Sequence, residues 1–230
     1  MSRLPRLEPR WLGSVPYRDA WDLQRELVEE VRTGARPDTV LLLEHPHVFT
    51  MGRRAVVEHV LWDEEERARR EVDLVSCDRG GDVTYHGPGQ LVGYPILDLR
   101  RHGGDVLLYL RRLEDTLIAY LRQLGIDAGR APGFTGVWTS GGKVAAIGVR
   151  LTENVVSHGF ALNLAPDLGY FAGIVPCGIE DRAVTSVEAL LGAAPSSESA
   201  AQAWSEVFAE AFGLDLPEGR PQLISRIQPA

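Results

Sequence analysis

Residues 144–164 read VAAIGVRLTENVVSHGFALNL, and this stretch predicts two paired β-strands, at residues 144–151 and 156–164. Both runs are dominated by β-branched and small apolar side chains, which favour strands packed inside a sheet. Gly159 lies within the second run, where a glycine is expected if another backbone or a ligand packs close to the strand. The stretch therefore predicts a β-hairpin with a point of close approach.

The segments around this hairpin predict a mixture of helices and strands. Apolar residues at helical spacing begin at Tyr17 and stop before Gly34, and a second long helix is expected between a capping Asp105 and Gly125. The other predicted elements are strands at residues 39–44, 72–77 and 91–99, a short helix after a capping box at 185–188, and a last helix at about 199–212. Because strands and helices do not alternate regularly, we expect an α/β (α+β) fold, a mixed sheet flanked by helices and not a doubly wound sheet.

Length and composition predict one globular domain. The chain has 230 residues, of which 44% are hydrophobic, and no linker, repeat or low-complexity segment divides it. We therefore expect residues 1–230 to form a single domain. A monomer is expected as well, because the sequence shows no heptad seam or interface stripe.

Composition also bears on compartment and partners. The first ten residues alternate charge and proline, no apolar run approaches the ~20 residues of a membrane-spanning helix, and two cysteines do not indicate a disulfide framework. These features predict a cytoplasmic protein that does not enter a membrane. A net charge of −8 argues against broad nucleic-acid binding, whereas paired arginines such as Arg53 and Arg54 could still steer an acidic protein partner.

The positive charge of the chain comes from 23 arginines and one lysine, Lys143. Arginine is effectively always protonated, whereas the amine of a lysine can change its pKa and give up a proton. Lys143 follows a glycine pair and precedes an apolar strand. Composition alone leaves two interpretations open: chemistry that needs a compact ammonium or a removable proton, or a solvated residue spared by a codon bias.

Residues 79–90, RGGDVTYHGPGQ, form a glycine-rich segment between two apolar runs. Its glycines let the backbone approach a ligand closely, and they bring Arg79, Thr84 and His86 into one region. The segment is not a P-loop, because no Gly-Lys-Ser/Thr follows, and it is not a dinucleotide fingerprint, because a strand follows it instead of a helix. The alternative interpretation is an irregular loop in which His86 is hydrogen-bonded locally.

Cys177 lies in the segment GIVPCGI, residues 173–179. The preceding proline fixes the backbone and the following glycine removes side-chain bulk, so the sulfur is expected on a sharp turn that a substrate carbonyl could approach. A free thiol has a pKa of ~8.5 and needs a nearby cation or base to act as a nucleophile. Lys143 is the first candidate for that group, and His86 and His158 are the alternatives.

The remaining histidine and cysteine positions predict no metal centre. His45 and His47 are two residues apart, but no Cys-x-x-Cys or His-Glu-x-x-His spacing accompanies them, and the proline between them breaks regular geometry. Cys77, at the end of an apolar strand, is expected to be a buried and inert packing residue.

Together these segments resemble the lipoyl(octanoyl) transferase family. The resemblance runs in order along nearly the whole chain, and each of its five pieces is unspecific alone. The pieces are EHP at 44–46 with GR at 52–53; RGG at 79–81 with TYH at 84–86 and GQ at 89–90; KVAAIG at 143–148; HGFALN at 158–163; and IVPCGI at 174–179. Every position expected to carry the chemistry matches the family pattern.

The resemblance implies a fold related to the catalytic domains of lipoate ligases and biotin ligases. It implies transfer of an octanoyl group from acyl carrier protein to a lysine of a lipoyl domain, as in glycine cleavage H protein and the E2 subunits of 2-oxoacid dehydrogenases, without a cofactor. By the same resemblance Cys177 forms a thioester with the octanoyl group, and Lys143 lowers the pKa of its thiol. The implied substrate-contacting residues are Arg79, Gly80, Gly81, Asp82, Val83, Thr84, Tyr85, His86, Ala146, Ile147, Gly148, Gly159, Phe160 and Ala161.

Three other functions remain compatible with parts of the sequence. An ATP-dependent lipoate–protein ligase would share the fold and a lysine, but it would activate a free acid as an adenylate and would not need Cys177. A cysteine hydrolase would use Cys177 with His158 or His86. A non-catalytic acyl- or protein-binding module would use Cys177 only for structure.

Overall fold

The computed structural model describes residues 5–175, 183–217 and 222–223, and these ranges contain eleven strands and five α-helices. The strands are β1 (Leu7–Ser14), β2 (Asp38–Glu44), β3 (Val48–Met51), β4 (Asp73–Ser76), β5 (Val83–His86), β6 (Gln90–Asp98), β7 (Gly129–Ala131), β8 (Phe134–Thr139), β9 (Gly142–Thr152), β10 (Val155–Asn163) and β11 (Gln222–Leu223). The helices are α1 (Tyr17–Thr33), α2 (Glu64–Arg69), α3 (Val106–Gln123), α4 (Val187–Leu191) and α5 (Ser197–Phe212). Short 3-10 turns occupy Val57–His59, Leu99–Arg101 and Leu168–Gly173.

The strands form one large and one small sheet. The eight-stranded sheet has the order β11-β1-β2-β6-β10-β9-β8-β7, parallel at the β11-β1-β2 edge and antiparallel from β2 to β7. The three-stranded sheet has the order β4-β3-β5, with β3 parallel to β4 and antiparallel to β5. The predicted hairpin is confirmed as β9 and β10, which pair from Thr152 and Val155 onward.

Helices cover the central strands of the large sheet on both faces. The apolar side of α1, including Leu27, packs on one face together with Leu41 of β2. The opposite face carries α3 and α5, and there Leu42 packs with Leu117 and Phe208. Successive residues of β2 face different helix layers, and because both faces are buried the strand is a continuous apolar run.

The predicted helix boundaries are largely confirmed, because they depend on local capping. Gly34 ends α1 in the left-handed conformation with φ 77°, and the Asp105 side chain accepts hydrogen bonds from the first turn of α3. The capping-box interpretation at residues 185–188 is wrong by one position: the residue that caps α4 is Ser186, whose hydroxyl accepts from the N–H of Ala189. Thr185 instead uses its backbone for the pairing described below.

The sequence did not predict the small sheet. Of its three strands, only β4 was expected, as the strand at residues 72–77. Its β5 strand lies within the glycine-rich segment and is a strand because it pairs with β3 from Val48↔His86 to Met51↔Val83. Sequence patterns do not reveal that pairing, since the partner is some 35 residues away. None of the described helices is both long enough and apolar enough to cross a lipid bilayer.

Candidate active site

A cleft of about 380 Å³ is lined by residues of both sheets. The large sheet contributes β6, β9 and β10, and the small sheet contributes β5 and the glycine-rich segment before it. Most of the substrate-contacting residues expected from the resemblance line this cleft, and so does Lys143. They are Arg79, Gly80, Gly81, Asp82, Val83, Thr84, His86, Ala146, Ile147, Gly148, Gly159, Phe160 and Ala161.

Tyr85 is the expected contact residue that does not line the cleft. Its side chain is fully buried on the other side of β5, where its ring stacks on Tyr170 at 5.2 Å between centroids. Its hydroxyl lies 2.9 Å from Nδ1 of His47. Alternation along β5 causes this placement, because Thr84 and His86 point to the cleft side when Tyr85 points away. Tyr85 therefore supports the wall from behind.

The glycines of the cleft lie where backbones meet. The N–H of Gly80 donates to the carbonyl of Val149 at 2.9 Å, and this bond joins the glycine-rich segment to β9. A Cβ on Gly148 would lie 2.7 Å from the Gly80 carbonyl oxygen, and a Cβ on Gly159 would overlap the carbonyl oxygen of Gly93. The predicted point of close approach at Gly159 is thus confirmed, with another strand as the neighbour.

Arg79 is a buried cation in the wall of the cleft, with 7% of its surface exposed. Its Nε and Nη2 donate to Oγ1 of Thr50 at 3.2 and 2.9 Å, and Nη2 also donates to the Thr50 carbonyl. Nη1 donates to the carbonyl of Gly80 at 3.0 Å. The guanidinium is therefore spread over three protein acceptors and braces β3 against the glycine-rich segment.

His86 has both ring nitrogens in hydrogen-bonding positions. Nδ1 lies 2.7 Å from Oε1 of Gln90, and Nε2 lies 3.4 Å from Oγ1 of Thr50. Burial, and then the neighbouring His45, lowers the pKa of His86 well below the ordinary value. His86 is therefore neutral at neutral pH and is held in one orientation.

His158 occupies an unusual place in β10. Its φ is 53°, in the left-handed region, and its ring lies 6.2 Å from Tyr94 and 6.3 Å from Trp21, on the α1 side of the sheet. Nε2 lies 2.7 Å from Oδ1 of Asp78, which also pairs with Arg150. Burial lowers the pKa of His158 although Asp78 acts in the opposite direction.

His45 and His47, for which the sequence predicted no metal centre, are engaged in hydrogen bonds and ring packing. His45 is fully buried; Nδ1–H donates to the carbonyl of Val15 at 2.6 Å, and Nε2 accepts from the Tyr94 hydroxyl at 2.7 Å. Burial lowers the pKa of His45 to about 4. His47 stacks on Tyr170 at 4.1 Å. In residues 5–175 and 183–217, no three His, Cys, Asp or Glu side chains lie close enough together to hold a metal ion.

Cys77 differs from the expectation in its exposure. It is half-buried, packs with Tyr17, Val48 and Val75, and its thiol donates to the carbonyl of Met51 at 3.4 Å. It directly follows β4, and its N–H also donates to the carbonyl of Met51.

Lys143 lines the cleft at the start of β9, and its backbone pairs with the chain that follows residues 176–182. Its N–H donates to the carbonyl of Ala183 at 2.9 Å, and its carbonyl accepts from the N–H of Thr185 at 3.0 Å. Its Nζ lies 4.9 Å from the centre of the Trp138 ring. Cys177 lies outside the described residues; the chain before it is fixed at Val175, whose N–H donates to the carbonyl of His59 at 2.8 Å.

Several residues that line the cleft were not among the expected contacts. Gln90 and Asn163 belong to the segments GQ at 89–90 and HGFALN at 158–163, which resemble the family. The buried Tyr94 could have been found from the alternation of β6. Leu110 and Phe134 carry no sequence signal, because α3 and β8 reach the cleft only through the tertiary fold. The full set of unexpected lining residues is Tyr17, Arg54, Gln90, Tyr94, Leu110, Gly133, Phe134, Thr135, Val149, His158, Asn163, Phe171 and Val184.

Comparison with solved structures confirms the fold class. A lipoate-protein ligase A bound with ATP has a TM-score of 0.73 at 19% identity, over 92% of this chain and 88% of that one. A bipartite lipoate protein ligase described with its E2 lipoyl domain, from Thermoplasma acidophilum, has a TM-score of 0.71 at 18% identity, over 95% and 87%. A biotin protein ligase from Aquifex aeolicus has a TM-score of 0.56 at 16% identity, over 90% and 70%.

Comparison of sequences is more specific. The model of the lipoyl protein ligase A/B catalytic domain matches residues 16–209. An octanoyltransferase from Chloroflexus aurantiacus is 48% identical over 212 residues, 91% of this chain and 95% of that protein. An octanoyltransferase from Gloeobacter violaceus is 43% identical over 230 residues, 100% of this chain and 99% of that protein. By these matches over most of its length, the chain belongs to the lipoyl(octanoyl) transferase family.

Proposed function

We propose that the chain transfers an octanoyl group from acyl carrier protein to a lipoyl-domain lysine through a thioester on Cys177. The observation that carries this proposal is the position of Lys143. It lines the cleft, and its backbone holds Ala183 and Thr185, where the chain returns from the segment that contains Cys177. A cation whose backbone pairs with the chain a few residues after a cysteine suits activation of that thiol.

The first chemical step exchanges one thioester for another. The Cys177 thiolate attacks the octanoyl carbonyl of the donor; the new carbon–sulfur bond forms as the bond to the carrier thiol breaks, and the carrier leaves as a thiol after taking a proton. Because both sides are thioesters, the step is nearly balanced in energy. Lys143 as an ammonium would stabilise the thiolate and donate to the departing sulfur.

The second step transfers the octanoyl group to nitrogen. The neutral ε-amine of the acceptor lysine attacks the Cys177 thioester, an amide forms, the thiolate leaves, and the extra proton on nitrogen must be removed. Lys143 as an amine could take that proton, so the two steps ask for opposite protonation states of one residue. An amide is more stable than a thioester, and the reaction therefore needs no ATP.

The shape of the cleft supports an acyl chain as the bound group. Ile147, Phe160 and Ala161 present apolar surface along β9 and β10, while the glycine-rich segment presents backbone opposite them. Apolar walls with a few fixed polar groups are typical of small-molecule sites. Backbone N–H groups near Gly148 or Gly159 are candidates for binding the oxyanion of the tetrahedral intermediate, a role typically contributing about 2.7–4 kcal/mol.

We propose the partners from the same reasoning. Exposed Arg53 and cleft-lining Arg54 stand at the rim and would attract an acidic carrier protein. The acceptor is proposed to be a lipoyl domain, which is also the partner named for the structurally similar ligase of Thermoplasma acidophilum. A monomeric, cytoplasmic enzyme, with residues 1–230 as one domain, is the state proposed from the composition.

Intact-mass measurement after incubation with octanoyl-acyl carrier protein, without ATP, tests the proposal. We expect one octanoyl adduct that hydroxylamine removes, that Cys177→Ser abolishes and that the matched control Cys77→Ser retains. An adduct that survives Cys177→Ser would refute the assigned nucleophile. A strict need for ATP would instead favour a lipoate–protein ligase, and release of free octanoate without transfer would favour a hydrolase.

A further inference from the structure

A line of hydrogen-bonded polar groups starts in one wall of the cleft. Arg79 donates to Oγ1 of Thr50 through Nε and Nη2, at 3.2 and 2.9 Å. The same Oγ1 lies 3.4 Å from Nε2 of His86, and Nδ1 of His86 lies 2.7 Å from Oε1 of Gln90. All four side chains are buried, with 0 to 7% of their surface exposed, so water does not compete for these bonds.

The line continues from β6 to β10 and then to the residues just before α4. Nε2 of Gln90 donates to Oδ1 of Asn163 at 2.9 Å, and Nδ2 of Asn163 donates to the carbonyl of Thr185 at 2.9 Å. The N–H of Thr185 then donates to the carbonyl of Lys143 at 3.0 Å. The relay, defined as Thr50, Arg79, His86, Gln90, Asn163 and Thr185, therefore ends on the backbone of the cleft lysine.

The two ends of the relay fix the direction of every bond between them. A guanidinium can only donate, and a backbone carbonyl can only accept. Asn163 must therefore turn its NH₂ group to Thr185 and its oxygen to Gln90, so Gln90 must turn its oxygen to His86. His86 consequently carries its proton on Nδ1, and the Thr50 hydroxyl donates to Nε2.

We propose that Gln90 and Asn163 are positioning residues, which hold the Thr185 carbonyl and thereby fix the backbone of Lys143 at the cleft. This inference rests on the proposed function. Both amides line a largely apolar cleft, where apolar side chains would pack without any hydrogen-bond requirement. Their amides instead satisfy one another and the Thr185 carbonyl, which would otherwise be a buried acceptor without its donor.

Replacing the Asn163 amide by a carboxyl makes the relay depend on pH. In Asn163→Asp, the protonated carboxyl can still donate to the Thr185 carbonyl and accept from Gln90, whereas the carboxylate repels that carbonyl. Burial raises the pKa of the introduced carboxyl. The charged or titratable side chains on the elements around it are Glu44 at the end of β2, His86 on β5, Lys143 on β9 and Glu188 on α4.

Steady-state octanoyl transfer is measured from about pH 6 to about pH 8.5, within the range where a buried carboxyl can titrate. For Asn163→Asp we expect kcat to fall about tenfold to a hundredfold at the alkaline end and to recover about tenfold at the acid end, while KM for the donor changes little. The pH profile should thus gain an ionisation that the wild type lacks. Asn154→Asp, the same change in the exposed β9–β10 turn, should follow the wild type.

Asn163→Leu, which removes the amide but fills the space, should lose activity equally at every pH. A purely steric role predicts no new ionisation in Asn163→Asp, and that result would overturn the inference. If Asn163→Asp does not fold, Gln90→Glu gives the same test, because its protonated form also donates to Asn163, and a flat ratio to wild type would again overturn it.

The failure of the proposed function is distinguishable from the failure of this inference. A wild-type protein that transfers no octanoyl group would refute the function. The rate at which iodoacetamide alkylates Cys177, measured in a Cys77→Ser background, reports the setting of the thiol without any substrate. In that assay too, the inference requires the extra ionisation in Asn163→Asp and its absence in Asn163→Leu.

Discussion

The two cations of the cleft, Arg79 in the glycine-rich segment and Lys143 on β9, have different surroundings. Arg79 is buried, and its side chain donates to Thr50 and to the Gly80 carbonyl. Lys143 is half-buried, its backbone pairs with Ala183 and Thr185, and its Nζ lies over the ring of Trp138. The guanidinium of Arg79 is shared among three protein acceptors, whereas the Nζ of Lys143 lies over an aromatic ring.

This difference explains why the two residues are not interchangeable. A planar guanidinium with five donors can join three acceptors at fixed angles, which suits a brace between two sheets. A compact ammonium on a flexible stem can turn toward a sulfur and can lose its proton. The wall with arginine is therefore expected to supply rigidity, and the wall with lysine to supply chemistry.

Lys143→Arg is expected to have the largest effect. Arginine keeps the charge but cannot give up its proton at working pH, so we expect kcat for octanoyl transfer to fall by about 10²–10³-fold, within the range of general acid–base catalysis. The melting temperature should remain near that of the wild type, because the backbone pairing to Ala183 is unchanged. Near-normal turnover would show that charge alone suffices and that the contrast between the walls is not one of proton transfer.

The reciprocal change, Arg79→Lys, should act mainly on stability. A single ammonium cannot reach Oγ1 and the carbonyl of Thr50 together with the Gly80 carbonyl, so the free energy of unfolding should fall by about 1–3 kcal/mol in urea denaturation. Arg69→Lys on exposed α2 is the matched control and should change it by less than about 0.5 kcal/mol. A stable Arg79→Lys variant that is as inactive as Lys143→Arg would show that Arg79, like Lys143, takes part in the reaction.

Gly148→Ala tests the place where the walls touch. The added methyl would lie 2.7 Å from the Gly80 carbonyl oxygen, so β9 and the glycine-rich segment must separate. We expect a loss of about 1–3 kcal/mol in the free energy of unfolding, as for other overpacked sites, together with a higher KM for the donor. Gly129→Ala, where an added Cβ meets nothing within 4 Å, should leave both quantities unchanged.

Protonation of the buried His45 should have the smallest effect on the free energy of unfolding at neutral pH and a measurable effect in acid. Because burial lowers its pKa to about 4 from an ordinary value of about 6.5, the unfolded chain binds the proton more tightly. Stability from this residue is complete above about pH 6.5 and is lost as the pH falls toward 4, by about 2 kcal/mol near pH 5. His45→Gln should flatten that part of the curve of unfolding free energy against pH; an unchanged slope would contradict the lowered pKa.

The sequence predicted the parts of the fold that are encoded locally. The caps at Gly34 and Asp105 and the β9–β10 hairpin depend on residues a few positions apart. The small sheet depends on the pairing of β3 with β5 across more than thirty residues, and its glycine-rich neighbourhood resembles an irregular loop. The N-cap of α4 is Ser186, one residue after the predicted Thr185, because the backbone of Thr185 is already paired with Lys143.

The site was predictable as a set of segments but not as a geometry. The motifs placed Arg79, Gly148 and Gly159 in the cleft, since glycines mark close approach wherever it occurs. They did not show that Tyr85 faces away from the cleft or that Gln90 and Asn163 are hydrogen-bonded. Both facts depend on which face of each strand is turned toward the cleft. The sequence identified the segments that line the cleft, whereas the direction of their side chains follows only from the pairing of the strands.

The position of the Lys143 ammonium over Trp138 also has a spectroscopic consequence. The emission energy of an indole depends on the electric field across its ring, and a charge 4.9 Å from the ring centre imposes a strong field. Fluorescence of Trp138, isolated by replacing the other four tryptophans with phenylalanine, would shift in wavelength when that charge disappears. The emission wavelength of Trp138 would therefore report the loss of the Lys143 charge while the protein reacts.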